Sequence, residues 1–125
     1  MDTLFPSLEE ALYLHSELIS RFGGSPGIRD LGLLESSLAR PKSGYYTSLS
    51  EQAAALMQSL ALNHAFVDGN KRMALGLTAI FLRINGYRLS VSPAEGEAFI
   101  VERIIANREA LNEITDWLER HLSPV

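Results

Sequence analysis

Five side chains of unlike chemistry fall within nine residues near the middle of the chain, in the sequence HAFVDGNKR at positions 64–72. They are an imidazole, a carboxylate, an amide, an ammonium and a guanidinium. Apolar runs flank this motif segment on both sides, over residues 53–62 and 73–84. Buried charges are costly unless they are paired or bound to a ligand, so packing does not explain the cluster. We interpret the motif segment as a ligand-binding site.

The motif segment lies where one predicted helix ends and the next begins. We predict that Ser50 caps a helix running to about Phe66, and that Asp68-Gly69 forms the turn. Residues 70–72 then open the second helix, where the first backbone N–H groups have no helical partner. A helix start of this kind favours the binding of an anion.

Two cations at the start of the second helix favour a phosphate as that anion. A helix dipole by itself favours carboxylates in the first turn, whereas this turn carries Lys71 and Arg72. The next charged residue is Arg83, so a solvated charged face is the weaker alternative. We predict that Lys71 and Arg72 bind phosphate together with the backbone at Gly69 and with Asn70, which also orients the turn.

His64 and Asp68 supply the chemistry in this interpretation. His64 would face the phosphate from the preceding helix and act as general base on an acceptor hydroxyl. Asp68 would hold a magnesium ion on the phosphate oxygens. The alternatives are a core histidine and an aspartate that only bonds its own turn. The spacing of His64 four residues before the Asp-Gly-Asn-Lys-Arg run favours the catalytic interpretation.

The motif segment resembles the signature of the Fic/Doc family, which reads roughly His-Pro-Phe-x-Asp/Glu-Gly/Ala-Asn-Gly/Lys-Arg. The chain is most similar to the death-on-curing (Doc) branch, the toxins of prokaryotic toxin–antitoxin pairs. Residues 22–30, 33–36, 40–41 and 81–87 also resemble that branch. The resemblance implies a protein kinase that binds ATP reversed relative to the AMP-transferring relatives. It would pass the terminal phosphate to a threonine of elongation factor Tu.

Two departures from the AMP-transferring relatives are shared with the Doc branch. Those relatives have Gly in place of Lys71 and usually a second Arg in place of Leu75. A third departure, Ala65 in place of a frequent Pro, removes some backbone stiffness beside His64. AMP transfer to a protein hydroxyl remains the alternative enzyme function. A non-catalytic nucleotide- or partner-binding module is the third hypothesis.

The resemblance also bears on regulation. Some Fic proteins carry a self-inhibiting helix with a Ser/Thr-x-x-x-Glu-Gly/Asn motif. The nearest match here, residues 115–119, is followed by Arg120 and lies inside a predicted structural helix. A separate Phd-like antitoxin is therefore expected, with a disordered tail that folds into a groove of the toxin.

Composition restricts the broad class of protein. A chain of 125 residues fits one domain, 1–125, with a real core. The net charge of −4 leaves no general basic face, so we expect no direct nucleic-acid partner. There is no cysteine, and the longest apolar run is too short to cross a bilayer. We expect a cytoplasmic protein without a membrane partner.

Helix signals predict an all-α, compact single-domain bundle of about six helices. Residues 51–66 and 70–85 should form its central buried hairpin. Ser7 and Glu10 predict a capping box that starts a first helix ending at Phe22. The other predicted elements are a short helix capped by Asp30, an extended piece over 87–91, a helix over 93–106 and a last helix capped by Asn107.

Two further polar residues, His15 and Arg29, are interpreted as structural. His15 is predicted to be a surface or half-buried residue of the first helix, because a lone histidine is weak evidence for a site. Arg29 is predicted to form a local ion pair with Asp30, at the start of the short helix that Asp30 caps.

Overall fold

The chain is mainly helical. The structure is a computed structural model that describes residues 2–125. Within this range the α-helices are α1 (Leu8–Phe22), α2 (Leu31–Ala39), α3 (Leu49–Asn63), α4 (Asn70–Ile84), α5 (Pro93–Phe99) and α6 (Leu111–Arg120). The other elements are a 3-10 turn (Arg40–Lys42), a π-helical segment (Ile100–Ala106) and two short strands, β1 (Tyr87–Leu89) and β2 (Leu122–Pro124). The prediction of an all-α bundle with about six helices is confirmed.

The first two helices begin at the caps that the sequence predicts. The hydroxyl of Ser7 accepts a hydrogen bond from the amide of Glu10, and the Glu10 carboxylate accepts one from the amide of Ser7. The carboxylate of Asp30 accepts from the amide of Leu33 and starts α2. These bonds satisfy N–H groups that the helices leave without backbone partners.

The start of α3 corrects one prediction. The cap is Ser48, whose hydroxyl accepts from the amide of Glu51 while the Glu51 carboxylate accepts from the amide of Ser48. Ser50 lies inside the first turn of α3 and is buried. The reason is the spacing, because a reciprocal capping box needs a glutamate three residues after the serine.

The predicted central hairpin is confirmed as α3 and α4, which pack along each other. Its fully buried apolar residues are Ala53, Ala54, Ala55, Leu56, Met57 and Ala61 in α3 and Met73, Ala74, Leu77, Phe81 and Leu82 in α4. α6 packs on α3 and α1 packs on α4, so both helices of the hairpin are enclosed. No helix of residues 2–125 combines the length and apolarity needed to cross a membrane.

The predicted end of α3 at Phe66 is wrong, because the helix stops at Asn63. His64 has φ 50° and ψ 50°, which is the left-handed region, and a residue in that region ends a right-handed helix. Residues 64–69 therefore form a longer connection between the two buried helices than predicted.

After the hairpin, the helix predicted over 93–106 is confirmed as α5 followed directly by the π-helical segment. Asn107 does not cap α6. The residue before α6 is Ala110, which provides no side-chain cap, and Arg108 with φ 52° breaks the chain direction between the two helices.

The predicted extended piece is confirmed as β1, but its pairing was not predicted. β1 forms an antiparallel pair with β2, with Leu89 opposite Leu122 and Tyr87 opposite Pro124. Asn85, at the end of α4, donates to and accepts from the backbone of Leu4. Leu4 and β2 are thus both attached near the end of α4 that is remote from the motif segment.

The capping box of α3 gives the first testable prediction. Ser48→Ala should lower the free energy of unfolding by about 1 kcal/mol at pH 7, because it removes the acceptor for the Glu51 amide. Ser50→Ala is the matched control and should cost less than half as much. Urea unfolding of both variants measures the difference, and an equal or larger loss in Ser50→Ala would contradict the assignment.

The contribution of this capping box to the stability of the fold should decrease in acid. Hydrogen bonds from Thr47 and Ser48 lower the pKa of the Glu51 carboxyl. The ionised carboxylate therefore stabilises the fold above its ordinary pKa, and this contribution is lost as the pH falls through the lowered pKa. Thr47→Ala removes the hydroxyl that donates to the Glu51 carboxylate, so the difference in free energy of unfolding between wild type and Thr47→Ala should narrow on acidification. Urea unfolding at neutral and acidic pH measures it, and a difference that does not change with pH would contradict the assignment.

Candidate active site

The motif segment lines a cavity of about 320 Å³ at the junction of α3 and α4. All six residues predicted to form the site line this motif cavity: His64, Asp68, Gly69, Asn70, Lys71 and Arg72. Ala61 of α3, Val67 of the motif segment, Glu97 of α5 and Ile105 of the π-helical segment complete its lining. Residues that are distant in sequence therefore meet the motif segment at one cavity.

His64 sits on the cavity side of the turn that ends α3. Its left-handed backbone is unusual for a residue with a side chain and costs about 1 kcal/mol. The residue is exposed, and the ring forms no hydrogen bond with residues 2–125. An imidazole in this position is free to accept a proton from a group that enters the cavity.

The start of α4 offers backbone donors to the same cavity. The first helical bond joins the amide of Met73 to the carbonyl of Gly69 at 2.9 Å. Within the described chain, the amides of Gly69, Asn70, Lys71 and Arg72 donate to no protein group. Such a helix start, with its partial positive charge, is suited to an anion.

Gly69 is required by the backbone at this point. Its φ of 83° lies in the left-handed region, where a side chain is strained. An added Cβ would also stand 3.5 Å from Nε2 of His15 and 3.4 Å from Cδ1 of Ile19. Glycine therefore lets the turn pass close to α1 while its amide stays accessible.

Asn70 holds the turn in shape. Its side-chain oxygen accepts from the amide of Phe66 at 3.0 Å, and its side-chain nitrogen donates to the carbonyl of Phe66 at 2.9 Å. Both side-chain groups are used inside the motif segment, which supports the predicted orienting role. If Asn70 contacts phosphate, it would therefore do so through its backbone amide.

Asp68 is fixed by the segment that follows α1. One carboxylate oxygen accepts a hydrogen bond from the amide of Ser25 at 2.7 Å. The other oxygen forms no hydrogen bond with the described residues. The carboxylate is therefore oriented by the backbone, while its second oxygen remains available to a ligand.

The free carboxylate oxygen of Asp68 decides whether a metal ion fits at this site. Residues 2–125 contain no group of three or more His, Cys, Asp or Glu side chains that could enclose a metal. Mg²⁺, however, is commonly held by one or two carboxylates while water and substrate phosphates supply its other ligands. A single oriented carboxylate at Asp68, beside backbone donors that could hold a phosphate, fits that mode of binding.

The prediction that His15 is a surface or half-buried residue is wrong. Its side chain is buried, and its ring stacks on Phe66 with centroids 3.8 Å apart and planes 10° apart. Nε2 lies 2.8 Å from the carbonyl oxygen of Asp68, so it donates there. Through His15, which lies outside the motif segment, α1 thus holds the turn between α3 and α4 in place.

The predicted ion pair of Arg29 with Asp30 is also wrong. Asp30 caps α2, whereas Arg29 donates from Nε to the carbonyl of His64 at 2.6 Å and from a terminal nitrogen to the carbonyl of Asn63 at 3.1 Å. The reason is that helix C-termini present carbonyls without partners, and an arginine fork matches them.

The two cations of the motif segment are exposed and differ in their contacts. Neither Lys71 nor Arg72 forms an ion pair with another described residue. The guanidinium of Arg72 lies 4.6 Å from the ring centroid of Phe22, a cation–π contact at the end of α1. Both positive charges are therefore available to an anionic ligand.

Glu97 and Ile105 were missed as cavity residues at the sequence level. They lie about 30 residues after the motif segment, in helices whose apolar spacing predicts only core packing. A sequence pattern within one segment cannot indicate such partners, because they reach the cavity only when α5 and the π-helical segment pack on α4.

Comparisons with known proteins agree with this geometry. The model of the Fic/DOC family matches residues 5–82, a range that contains the whole motif segment. The chain is 50% identical over 74 residues to "Toxin Doc" of Mycolicibacterium smegmatis, a match that covers 55% of this chain and 57% of that protein. It is 40% identical over 91 residues to "Protein kinase doc" of Escherichia phage P1, covering 70% of this chain and 72% of that protein.

The family match covers more than half of the chain, and the second relative is matched over most of its length. Both relatives carry Doc names, in agreement with the resemblance of the motif segment. On these grounds the chain belongs to the Fic/DOC family and, within it, to the Doc branch.

Proposed function

We propose that this protein is a Doc-type toxin that transfers the terminal phosphate of ATP to a hydroxyl group of another protein. The observation that carries the proposal is the pairing of an exposed imidazole with unoccupied helix-opening amides on one cavity. A phosphate bound by the amides would lie beside a group able to take a proton, and binding alone would not need that group.

The start of α4 would bind the nucleotide phosphates. The amides from Gly69 to Arg72 offer backbone donors, and Lys71 and Arg72 add two positive charges. Charge of this kind stabilises the negative oxygens of a phosphoryl group during transfer, which is the main contribution of proteins to this reaction. The chain has neither a Walker loop nor a kinase glycine-rich loop.

His64 would act on the acceptor. The hydroxyl oxygen attacks the terminal phosphorus, the bond from that phosphorus to the oxygen of the departing ADP breaks, and the hydroxyl proton passes to the imidazole. The left-handed backbone and the exposed ring of His64 support this role, because they hold the imidazole at the cavity without tying it to another group.

Asp68 is the residue proposed to hold Mg²⁺ through the carboxylate oxygen that the Ser25 amide leaves free. Mg²⁺ bound there would offset charge on the phosphate oxygens. Asp68 itself keeps a fixed orientation through the Ser25 amide, and the carbonyl of the same residue is held by His15.

The proposed acceptor is a threonine of elongation factor Tu, and the proposed regulator is a Phd-like antitoxin acting in trans. Both come from the likeness to the Doc branch, which one relative's name, "Toxin Doc", supports. The match spans 57% of that relative's length. A translation factor as acceptor would place the reaction in the cytoplasm.

AMP transfer is the second candidate, since the Fic/DOC family includes AMP-transferring members by the resemblance described above. Lys71 and Leu75 argue against it, because these two positions depart from the AMP-transferring pattern. The name "Protein kinase doc" of the second relative supports phosphate transfer instead.

Labelled ATP distinguishes the two reactions. The protein is incubated with Mg²⁺, elongation factor Tu and ATP labelled either on the terminal or on the α-phosphate. We expect label on the factor only from the terminal position. Label from the α-position would mean AMP transfer, and no label from either would overturn the proposed acceptor.

His64→Gln should lower the rate of terminal-phosphate transfer by about 10²- to 10⁴-fold, because it removes the proposed base. His121→Gln is the matched control, since His121 lies at the end of α6 and does not line the motif cavity. Thermal unfolding shows that both variants are folded. Unchanged transfer by His64→Gln would favour a function without a base.

Asp68→Asn should raise the Mg²⁺ concentration needed for half-maximal transfer by roughly tenfold or more, because a metal ligand loses its charge. The asparagine oxygen can still accept from the Ser25 amide, so the turn should keep its shape. Asp116→Asn, at an exposed position of α6, is the control. An unchanged Mg²⁺ dependence would contradict the role of Asp68.

A further inference from the structure

We propose that Arg29 is a positioning residue for His64: its guanidinium fixes the backbone that directs the imidazole into the motif cavity. The inference rests on the proposed function, because positioning matters only if His64 acts in catalysis. Arg29 does not line the motif cavity, and the effect proposed here passes through the residues that it holds.

The contacts of Arg29 converge on the end of α3. Its side chain donates to the carbonyls of His64 and Asn63, at 2.6 Å and 3.1 Å. Its backbone amide donates to the carbonyl of Ala65 at 2.8 Å, and the amide of Asp30 donates to the same oxygen at 2.9 Å. Three successive carbonyls, from residues 63–65, are therefore held by one short segment.

The neighbouring contacts extend this attachment along the motif segment. The amide of Val67 donates to the carbonyl of Gly27 at 3.0 Å, and Ile28 pairs with Phe66 in an antiparallel bridge. Residues 27–30 thus run beside residues 64–67. Within this pair of segments, the only side chain that reaches the carbonyl of His64 is that of Arg29.

The backbone of His64 needs such support. A residue with a side chain rarely adopts φ 50°, and Ala65 lacks the ring that would restrict rotation beside it. The ring of His64 is exposed and unbonded, so its side chain does not fix the backbone either. The planar guanidinium can bond both adjacent carbonyls at once, which an ammonium group cannot do in the same geometry.

The charge of Arg29 is directed at this helix end and not at a carboxylate. Arg29 forms no ion pair with the part of the chain that the structure describes. A cation is favourable at a helix C-terminus, where the dipole is negative. The bonds to Asn63 and His64 are therefore charge-assisted and stronger than neutral ones.

Kinetics of Arg29→Gln, Arg29→Lys and a control variant test the proposal. We expect kcat to fall about 10- to 100-fold in Arg29→Gln, with KM for ATP changing less than about twofold, because misplacing a catalytic group by about 1 Å has effects of this size. Arg29→Lys should recover part of kcat. Arg21→Gln should behave as wild type, because Arg21 is exposed and its ion pair among residues 2–125 is with Glu17.

A second measurement does not depend on activity. The ¹H–¹³C signals of the three histidine side chains are compared in wild type and Arg29→Lys, which keeps the charge and should fold. We expect the His64 signal to move and broaden, while the signals of His15 and His121 stay in place. Assignment comes from the signal that is missing in His64→Gln.

Each outcome decides between positioning and simple structural support. Loss of kcat together with a moved His64 signal supports the proposal. The proposal is overturned if Arg29→Gln leaves kcat unchanged or raises only KM, or if the His64 signal of Arg29→Lys stays in place. It is also overturned if unfolding of Arg29→Lys fully explains its loss of kcat. If wild type transfers no phosphate, the proposed function fails, whereas the His64 signal still reports whether Arg29 fixes that residue.

Discussion

The turn between α3 and α4 leaves backbone groups unpaired at two facing helix ends, and the protein treats the two ends differently. The carbonyls at the end of α3 are occupied by donors from residues 29–30. The amides at the start of α4 are left without a partner among the described residues. This asymmetry leaves one end as a fixed support and the other with free backbone donors of the kind that suits an anion.

The rest of the fold maintains that asymmetry. The two helices of the hairpin are enclosed by α1, α5 and α6, so their ends cannot move apart without exposing the core. The turn itself is held by Phe66, which is buried, by the stacked ring of His15 and by the side chain of Asn70. The exposed polar groups at the motif cavity are therefore held in place by buried, hydrogen-bonded residues beneath them.

Much of this could be predicted from the sequence, because local signals dominate where they are present. The Ser7 capping box, the Asp30 cap and the apolar periodicity of α3 and α4 give the helices and the hairpin. The motif segment identifies the residues that share the cavity. Glu51 stands three residues after Ser48, the spacing that a capping box requires, so the sequence also contains the signal for the true start of α3.

The remaining features depend on contacts between distant parts of the chain. His15 and Asp68 are 53 residues apart, and Arg29 and His64 are 35 residues apart, so no local spacing relates them. The pairing of β1 with β2 is of the same kind. The early end of α3 was unpredictable for another reason, because left-handed backbone at a non-glycine residue is imposed by its surroundings.

The central claim is that the opening amides of α4 bind the nucleotide phosphates. Titration of the ¹⁵N-labelled protein with ATP and Mg²⁺, followed by backbone amide NMR signals, tests it most directly. The account predicts the largest shifts at Gly69, Asn70, Lys71 and Arg72. Binding of ATP that leaves these four signals unchanged, while moving amides elsewhere such as the first turn of α1, would contradict it.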